Sequence, residues 1–284
     1  MSLVVDTHTH VIASDTTRYP LGPIGGHRSE WSSKRPVDVD GLLAEMEQAR
    51  VDRAVVVQAS TVYGHDNRLV VDAVRAHPNR FIGVFSVDVL APDAVDQIKH
   101  WQDEGLSGLR LFMTGTTMPG QADWLDDPRV FPAWEYAQKA QLPICLQMTM
   151  AGLPALRGML QRFPEISVLL DHLARPDLSD GAPYAAAQPL FDMASFPGVY
   201  LKLTNRTLAE AKRGASTPAA FLEKLLASFG PNRVAWGSNF PAAEGTLAAL
   251  REEAETDTAA VPSAAREALF GGTAQQLYPA LAAR

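Results

Sequence analysis

The sequence predicts an α/β protein in which eight parallel strands close into a (β/α)8 barrel. Eight short apolar segments recur along the 284 residues, and each is followed by a segment with helical spacing. Most of these segments are continuous rather than alternating, as in parallel strands that helices cover. A doubly wound sheet is the rival fold, but it normally needs fewer strands or a second domain. The expected strands are 3–8, 54–59, 81–87, 107–112, 143–148, 167–172, 199–204 and 233–238.

Apolar stripes with helical periodicity connect these strands. Leu42, Leu43 and Met46 form the first stripe, with Asp38 or Asp40 as its N-cap. No linker rich in Gly, Ser or Pro divides the chain, so residues 1–284 are expected to form a single domain. The later stripes lie within 69–74, 95–101, 130–134, 156–163, 190–193, 221–226 and 247–269.

The loops that follow strands are longer than those that precede them. Long connections follow the first, fourth, sixth and seventh strands, at 11–36, 113–127, 173–187 and 205–217. In a barrel, the loops after the strands build the active-site face. The sequence therefore predicts a pocket at the carboxyl end of the barrel, with a substantial lid.

Composition narrows the function classes. The net charge of −7 argues against a nucleic-acid partner, which requires a basic face. The single cysteine, Cys145, permits no disulfide within the chain and fits a reducing compartment. We find no signal peptide and no apolar run that could span a membrane. We expect a cytoplasmic protein with a small-molecule substrate; the sequence does not indicate an oligomeric state.

The first candidate site residues are His8 and His10, at the end of the first strand. Alternate residues of a strand share a face, so both imidazoles point the same way. Such a pair suits a metal ion or the polarisation of a carbonyl oxygen. The alternative is that one ring caps a loop while the other is buried and hydrogen-bonded.

The second candidate group ends the sixth strand. His172 is a candidate general acid or base because histidine titrates near neutral pH. Arg175 is a candidate clamp for a substrate carboxylate, with two parallel hydrogen bonds. Its alternative role is an ion pair with Asp171 or Asp177 that fastens the loop.

Two cations fall inside apolar strands, where a charge is costly unless it is paired. Arg110, near the end of the fourth strand, suits an anionic substrate or an oxyanion; an internal salt bridge is the alternative. Lys202 in the seventh strand raises the same question, as does Arg206 just beyond it.

Further polar residues end other strands. Asn239 ends the eighth and can donate and accept hydrogen bonds, but it cannot act as a base at neutral pH. His27, in the first loop, is a residue that could reach the pocket. The candidate substrate contacts at the ends of strands 2 and 5 are Gln58, Ser60, Tyr63 and Gln147.

Three phrases together resemble the amidohydrolase-related (amidohydrolase 2) family, and more narrowly its lactonase branch. They are Asp-Thr-His-Thr-His at 6–10, Asp-His-Leu-Ala-Arg-Pro at 171–176 and Trp-Gly-Ser-Asn-Phe-Pro at 236–241. That branch includes the 2-pyrone-4,6-dicarboxylate, fuconolactone and sulfomuconolactone hydrolases and the galactarolactone isomerase. The resemblance implies a TIM barrel of the amidohydrolase superfamily. It also implies a lactonase, which hydrolyses a small carboxylated lactone derived from a sugar or an aromatic compound.

The departures from the family pattern concern the metal. The family has an aspartate at the end of strand 8, where this chain has Asn239, and often a histidine in strand 5, where it has Gln147. A zinc ion would be left with His8, His10 and His172, so we favour no metal cofactor. The alternatives are a lactone isomerase without net hydrolysis, a metal-dependent decarboxylase on the same scaffold, and a binding barrel without catalysis.

The resulting hypothesis assigns roles around one ester carbonyl. His8, His10 and Arg110 would stabilise the oxyanion. His172 would move the proton and Asn239 would orient the substrate. Arg175, with Lys202 or Arg206, would hold a substrate carboxylate.

Overall fold

Eight parallel strands form one sheet in sequential order in the computed structural model, which describes residues 3–282. The sheet closes through a parallel bridge between Thr9 and Phe240, where the His10 N–H donates to the Phe240 carbonyl at 2.9 Å. Each expected strand is present within two residues of its predicted bounds, so the barrel prediction is confirmed. The strands are β1 Val5–Thr9, β2 Arg53–Val57, β3 Phe81–Ser86, β4 Gly108–Phe112, β5 Ile144–Gln147, β6 Val168–Asp171, β7 Val199–Thr204 and β8 Val234–Gly237.

Helices surround this barrel. The Asp38 carboxylate accepts a hydrogen bond from the Gly41 N–H at 2.9 Å and caps α2, so of the two predicted N-caps, Asp38 and Asp40, the structure has Asp38. Four short helices, α1, α3, α9 and α13, lie outside the predicted stripes. The helices are α1 Glu30–Lys34, α2 Val39–Ala49, α3 Ser60–Tyr63, α4 Arg68–Ala76, α5 Ala94–Asp103, α6 Phe131–Lys139, α7 Leu153–Arg162, α8 Gln188–Asp192, α9 Asn205–Glu210, α10 Pro218–Phe229, α11 Leu247–Asp257, α12 Ser263–Glu267 and α13 Thr273–Leu277.

The amino end of the barrel is filled by apolar side chains. Val5, Val55 and Ile82 of the first three strands pack with Tyr278 and Leu281 from the end of the described chain. This end therefore contributes to stability. Within residues 3–282, no helix is long and apolar enough to cross a membrane.

The loops after β1 and β4 meet over the carboxyl end. The Thr117 hydroxyl donates to the Ile24 carbonyl at 2.6 Å. Gly25 lies so close that a Cβ at this position would stand 1.9 Å from the Thr117 carbonyl oxygen. Its φ of +90° also favours glycine. The predicted lid is thus formed by two loops that contact each other.

Candidate active site

A cavity of about 140 Å³ opens at the carboxyl ends of the strands. Its wall combines imidazole, guanidinium and amide groups with aromatic rings, a composition suited to a polar small molecule. The lining residues are His10, Trp31, Ala59, Thr61, Arg110, Phe112, Gly115, Thr116, Gln147, His172, Arg175, Arg206, Asn239 and Ala242.

Three imidazoles meet at the floor of this cavity. The ring centroid of His8 lies 5.0 Å from that of His10 and 5.2 Å from that of His172. His10 and His172 line the cavity, whereas His8 is fully buried beneath them. The two strand ends, β1 and β6, therefore bring the predicted histidines together.

Hydrogen bonds fix the tautomer of one ring. The His10 Nδ1–H donates to the Val57 carbonyl at 2.7 Å, so Nε2 of the neutral ring carries a lone pair and accepts. His172 Nδ1 is hydrogen-bonded to the Thr204 hydroxyl at 2.7 Å. Neither ring nitrogen of His8 has a hydrogen-bond partner among the described residues.

Burial keeps these imidazoles neutral. It lowers the pKa of His10 to about 3, with the Arg110 charge as the next cause. Burial also lowers the pKa of His172 to about 3, although the Asp171 charge opposes the shift. The pKa of His8 falls well below its usual value through burial and then the Lys202 charge. At neutral pH, all three rings are therefore unprotonated.

His172 stands on an unusual turn. The four residues His172–Arg175 have φ values between 53° and 57°, in the left-handed region that non-glycine residues rarely adopt. Each such residue costs about 1–2 kcal/mol relative to the right-handed conformation. Strain of this kind persists where the surroundings hold it, commonly at functional sites. The turn brings both His172 and Arg175 to the cavity wall.

Arg110 is the buried cation of the cavity. Its Nη1–H donates to the Gln58 carbonyl at 2.5 Å, and its Nη2 lies 3.7 Å from the Asp171 carboxylate. The guanidinium also lies 5.2 Å from the centroid of the Phe112 ring. Its Nε is buried and has no hydrogen-bond partner among the described residues.

The rim adds two more positive charges. Arg175 and Arg206 line the cavity, and burial together with the Arg206 charge lowers the pKa of Arg175. Among the described residues that line the cavity, none is Asp or Glu. Asp177 and Glu210 line an adjoining groove, which shares His172, Arg175 and Arg206 with the cavity. The cavity is therefore cationic although the chain carries a net negative charge.

Amide side chains complete the wall. Asn239 is half-buried and follows β8 with φ of 63°. The buried Asp6 carboxylate supports this strand end, since it accepts hydrogen bonds from the N–H groups of Ser238 and His8, both at 2.9 Å. Gln147 presents a buried Oε1 that has no partner among the described residues, and it faces the same cavity.

Several predicted contacts do not reach the cavity. The Gln58 amide donates to the Gly64 and Asp66 carbonyls and braces its own loop. The Tyr63 hydroxyl accepts from the Ala13 N–H at 2.9 Å, and Ser60 is buried in α3. These three side chains organise the wall from behind instead of contacting a ligand there.

Lys202 and His27 also differ from expectation. Lys202 is 1% exposed, and its ammonium lies 2.7 Å from Asp171, which makes it an internal salt bridge below the cavity. His27 lines an outer groove with Thr116 and is absent from the cavity wall. The prediction of Lys202 as a substrate contact therefore needs correction, because its charge is directed into the barrel interior.

Sequence reasoning missed the aromatic wall. The Trp31 ring stacks on His10, with centroids 5.4 Å apart, and Phe112 lies opposite Gly115. Thr61 and Thr116 add hydroxyl groups to the wall. An aromatic residue in the long first loop was the available signal for Trp31.

Comparison with known proteins settles the family. Residues 5–280 match the family described as "Amidohydrolase". The chain belongs to this amidohydrolase family. The match spans nearly all of the described residues and agrees with the motifs at the three strand ends.

Individual amidohydrolases are more distant. L-fucono-1,5-lactonase from Burkholderia ambifaria is 27% identical over 247 residues, which cover 85% of this chain and 81% of that protein. 4-Sulfomuconolactone hydrolase from Hydrogenophaga intermedia is 26% identical, with 83% and 74% covered. An amidohydrolase structure from Burkholderia multivorans with bound zinc has a TM-score of 0.78, 22% identity and coverage of 98% and 99%.

The zinc ion of that neighbouring structure raises the question of whether this amidohydrolase can hold one. Within residues 3–282, no group of three or more His, Cys, Asp or Glu side chains is arranged to hold a metal ion. The carboxylate beside the His8 ring is Asp171, and Lys202 already binds it. The residues present do not fit a divalent metal, and we assign no step to one.

Proposed function

We propose that this amidohydrolase hydrolyses a small lactone that carries a carboxylate. The observation that carries the proposal is the cavity itself, where neutral His172, Arg110 and the cationic rim of Arg175 and Arg206 face one volume. Lactone hydrolysis needs an oxyanion donor, a base for water and an acid for the leaving oxygen. The names of the fuconolactone and sulfomuconolactone enzymes support a cyclic ester as substrate.

In this mechanism, Arg110 stabilises the oxyanion and His172 moves the proton. Water attacks the lactone carbonyl while the neutral His172 ring accepts its proton. The tetrahedral intermediate then expels the ring oxygen, which takes the proton back from His172. A bound carboxylate raises the low pKa of His172, because an opposite charge favours the imidazolium.

His10 has a different role from the one that its position first suggested. Because its Nδ1–H is bonded to Val57, its neutral ring has no N–H left for an oxyanion. Its Nε2 instead accepts a hydrogen bond from water or from a substrate hydroxyl. His8 supports the two rings from below, and the oxyanion depends on Arg110.

The rim arginines select for an anion. Arg175 and Arg206 stand close enough for their charges to affect each other, so a carboxylate between them relieves repulsion as well as forming hydrogen bonds. A neutral lactone neither relieves this repulsion nor forms these hydrogen bonds. We therefore expect anionic lactones to have lower KM values than neutral lactones of the same ring size.

One observation favours isomerisation as a second candidate. Asn239 stands at the β8 end and cannot serve as a base, and the described cavity wall has no carboxylate. Attack by a hydroxyl of the substrate on its own carbonyl needs no water and only one proton carrier. Transfer between lactone rings therefore suits His172 alone, whereas nothing in the cavity favours decarboxylation.

Two further expectations belong to this proposal. A free small molecule is the substrate, and no nucleic acid is involved, since the cavity is small and the chain is acidic. A cytoplasmic location is supported by the single buried thiol, Cys145, which a reducing compartment keeps free.

A panel of paired lactones tests the proposal. Each pair shares a ring and differs in one carboxylate, and NMR follows whether the ring opens or rearranges. We expect turnover of the anionic members. Arg206→Met should raise their KM about 10–100-fold and leave neutral members unchanged. Absence of both ring opening and rearrangement across the panel would contradict the proposal.

Asn239→Asp separates the two reactions. If the amide suppresses water activation, the variant gains hydrolysis relative to rearrangement. Asn232→Asp is the matched control, because Asn232 is exposed in the turn that precedes β8, at the opposite end of that strand from the cavity. An unchanged product ratio in Asn239→Asp would mean that the Asn239 amide does not decide between hydrolysis and rearrangement.

A further inference from the structure

A lysine and a carboxylate form an ion pair in the barrel interior, just below the histidines. Lys202 on β7 lies opposite Asp171 on β6 in the strand register. Its Nζ is 2.7 Å from Asp171 Oδ1 and 3.1 Å from the Cys145 sulfur, and it is 1% exposed. A well-packed apolar pair of this volume would stabilise a barrel interior equally well or better. The charges therefore call for a reason other than stability.

The same carboxylate oxygen also faces the histidine cluster. Asp171 Oδ1 lies 3.7 Å from His8 Nδ1, and Oδ2 lies 3.7 Å from the Arg110 guanidinium. Both ring nitrogens of His8 are buried without a hydrogen-bond partner among the described residues. An unpartnered imidazole beside a carboxylate is half of a zinc site, because zinc takes nitrogen and carboxylate ligands.

Two fixed cations share that carboxylate. Asp171 contributes one negative charge, while Lys202 and Arg110 contribute two positive charges. The buried Asp6 carboxylate, whose pKa burial raises to about 6, balances the second of these charges at neutral pH. A divalent ion at His8 would compete with the ammonium for Oδ1 and would meet both cations inside a water-poor interior. Among the described residues, no three such side chains are arranged around a metal position while the ammonium holds the carboxylate nearest to His8.

We infer that Lys202 excludes divalent metal ions from the cluster of His8, His10 and His172 by holding Asp171. The Lys202 ammonium supplies a fixed positive charge beneath the cavity. This inference concerns the metal and goes beyond the proposed function. It holds whether the substrate is hydrolysed, rearranged or merely bound.

Lys202→Gln tests this exclusion directly. Glutamine keeps a hydrogen-bond donor for Asp171 and removes the charge. Zinc titrated into the apo-protein in a calorimeter should bind the variant at one ion per chain, about 100-fold or more tighter than the wild type. Adding His8→Ala to Lys202→Gln should abolish this binding, which assigns the ion to the cluster.

A surface lysine provides the matched control. Lys139 pairs with Glu135 at 2.7 Å on the outside of α6, so Lys139→Gln makes the same chemical change far from the cavity. It should bind zinc no better than the wild type. Lys202→Met is the second variant if Lys202→Gln does not fold, as judged by circular dichroism, and the same gain is expected.

Two results would overturn the inference. One is a wild type that itself binds one zinc ion per chain with an affinity that His8→Ala removes. The other is a folded Lys202 variant whose zinc affinity equals that of the wild type. Because the readout is metal stoichiometry, either result leaves the lactone proposal to its own test.

Discussion

The two ends of the barrel are built from the same eight strands but have opposite characters. At the amino end, Val5, Val55 and Ile82 pack with Tyr278 into an apolar plug. At the carboxyl end, the strands present imidazole, guanidinium and amide groups to a cavity. Stability and chemistry are therefore separated along each strand, and a substitution at one end should change one property and spare the other.

The largest effect is expected from His172→Ala. Loss of the proton carrier should lower kcat/KM about 10²–10⁴-fold. The free energy of unfolding should fall by less than for Tyr278→Ala at the amino end, because the imidazole that is removed is smaller than a phenol ring. Steady-state kinetics on a turned-over lactone and urea unfolding measure the two properties.

Thr204→Val should lower kcat/KM through the same ring, but by a smaller factor. It removes the hydroxyl bonded to His172 Nδ1 and keeps the shape of the side chain. A loss of about 10-fold is expected, smaller than for His172→Ala. If His172→Ala retained wild-type kcat/KM, the assignment of catalysis to the carboxyl end of the barrel would be wrong.

The amino end should show the reverse pattern. Tyr278→Ala empties the plug and should lower the free energy of unfolding by about 3–5 kcal/mol. Its ring packs against Gly108, where a Cβ would stand 3.1 Å from Cε1. The kcat/KM of the folded fraction should stay within about 2-fold of wild type, because distant sites are nearly additive. A parallel fall in kcat/KM would show that the plug also shapes the cavity.

Acid should lower the free energy of unfolding through the buried histidines of the carboxyl end. His10 and His172 have pKa values of about 3 in the folded state against about 6.5 when unfolded. Between these values the unfolded chain binds more protons, so stability falls as pH decreases from 6.5 toward 3. Burial raises the pKa of Asp6 to about 6, which opposes this trend between pH 6 and 4 but involves one group against three histidines.

The expected net loss is on the order of 1–3 kcal/mol per pH unit between pH 5 and 4. Urea unfolding at several pH values measures the slope, and His172→Ala should flatten it. Exposed carboxylates that lose stabilising partners in acid contribute equally to both proteins and cancel in the difference. An unchanged slope would mean that His172 is already protonated in the folded state.

The strand ends explain how much the sequence could reveal. β7 was predicted at its observed bounds because 199–204 is a nearly continuous apolar run. His10, His172, Arg110 and Asn239 were predicted at the site because carboxyl ends of parallel strands converge at one face.

The sequence could not reveal how deeply a side chain is buried or where the backbone is strained. Lys202 lies two residues before the end of β7, and its type and strand gave no sign that Asp171 would hold it below the cavity. The left-handed turn at His172–Arg175 contains no glycine, so the sequence does not indicate its positive φ values. Trp31 reaches the wall from α1, a short helix within the connection after β1. The path of that connection depends on contacts distant in sequence, such as that between Thr117 and Ile24.

The smallest expected effect on stability comes from relieving backbone strain at one position of the chain. Gln141 has φ of 51° and is exposed at the carboxyl end of α6, in the position that glycine favours. The Leu142 N–H bonds to the Ala137 carbonyl there, and the Gln141 N–H bonds to that of Gln138. Gln141→Gly should therefore stabilise the protein by about 1 kcal/mol, measured by urea unfolding.

Glycine at Ala174, in the left-handed turn of the cavity, provides the contrast. There the same relief of strain is offset by a lost buried methyl group, worth about 0.8 kcal/mol, and by a freer turn beneath His172. Ala174→Gly should therefore gain little stability and lower kcat/KM, whereas Gln141→Gly should leave kcat/KM unchanged. Equal behaviour of the two variants would mean that the strained turn serves the fold alone and does nothing for the position of His172.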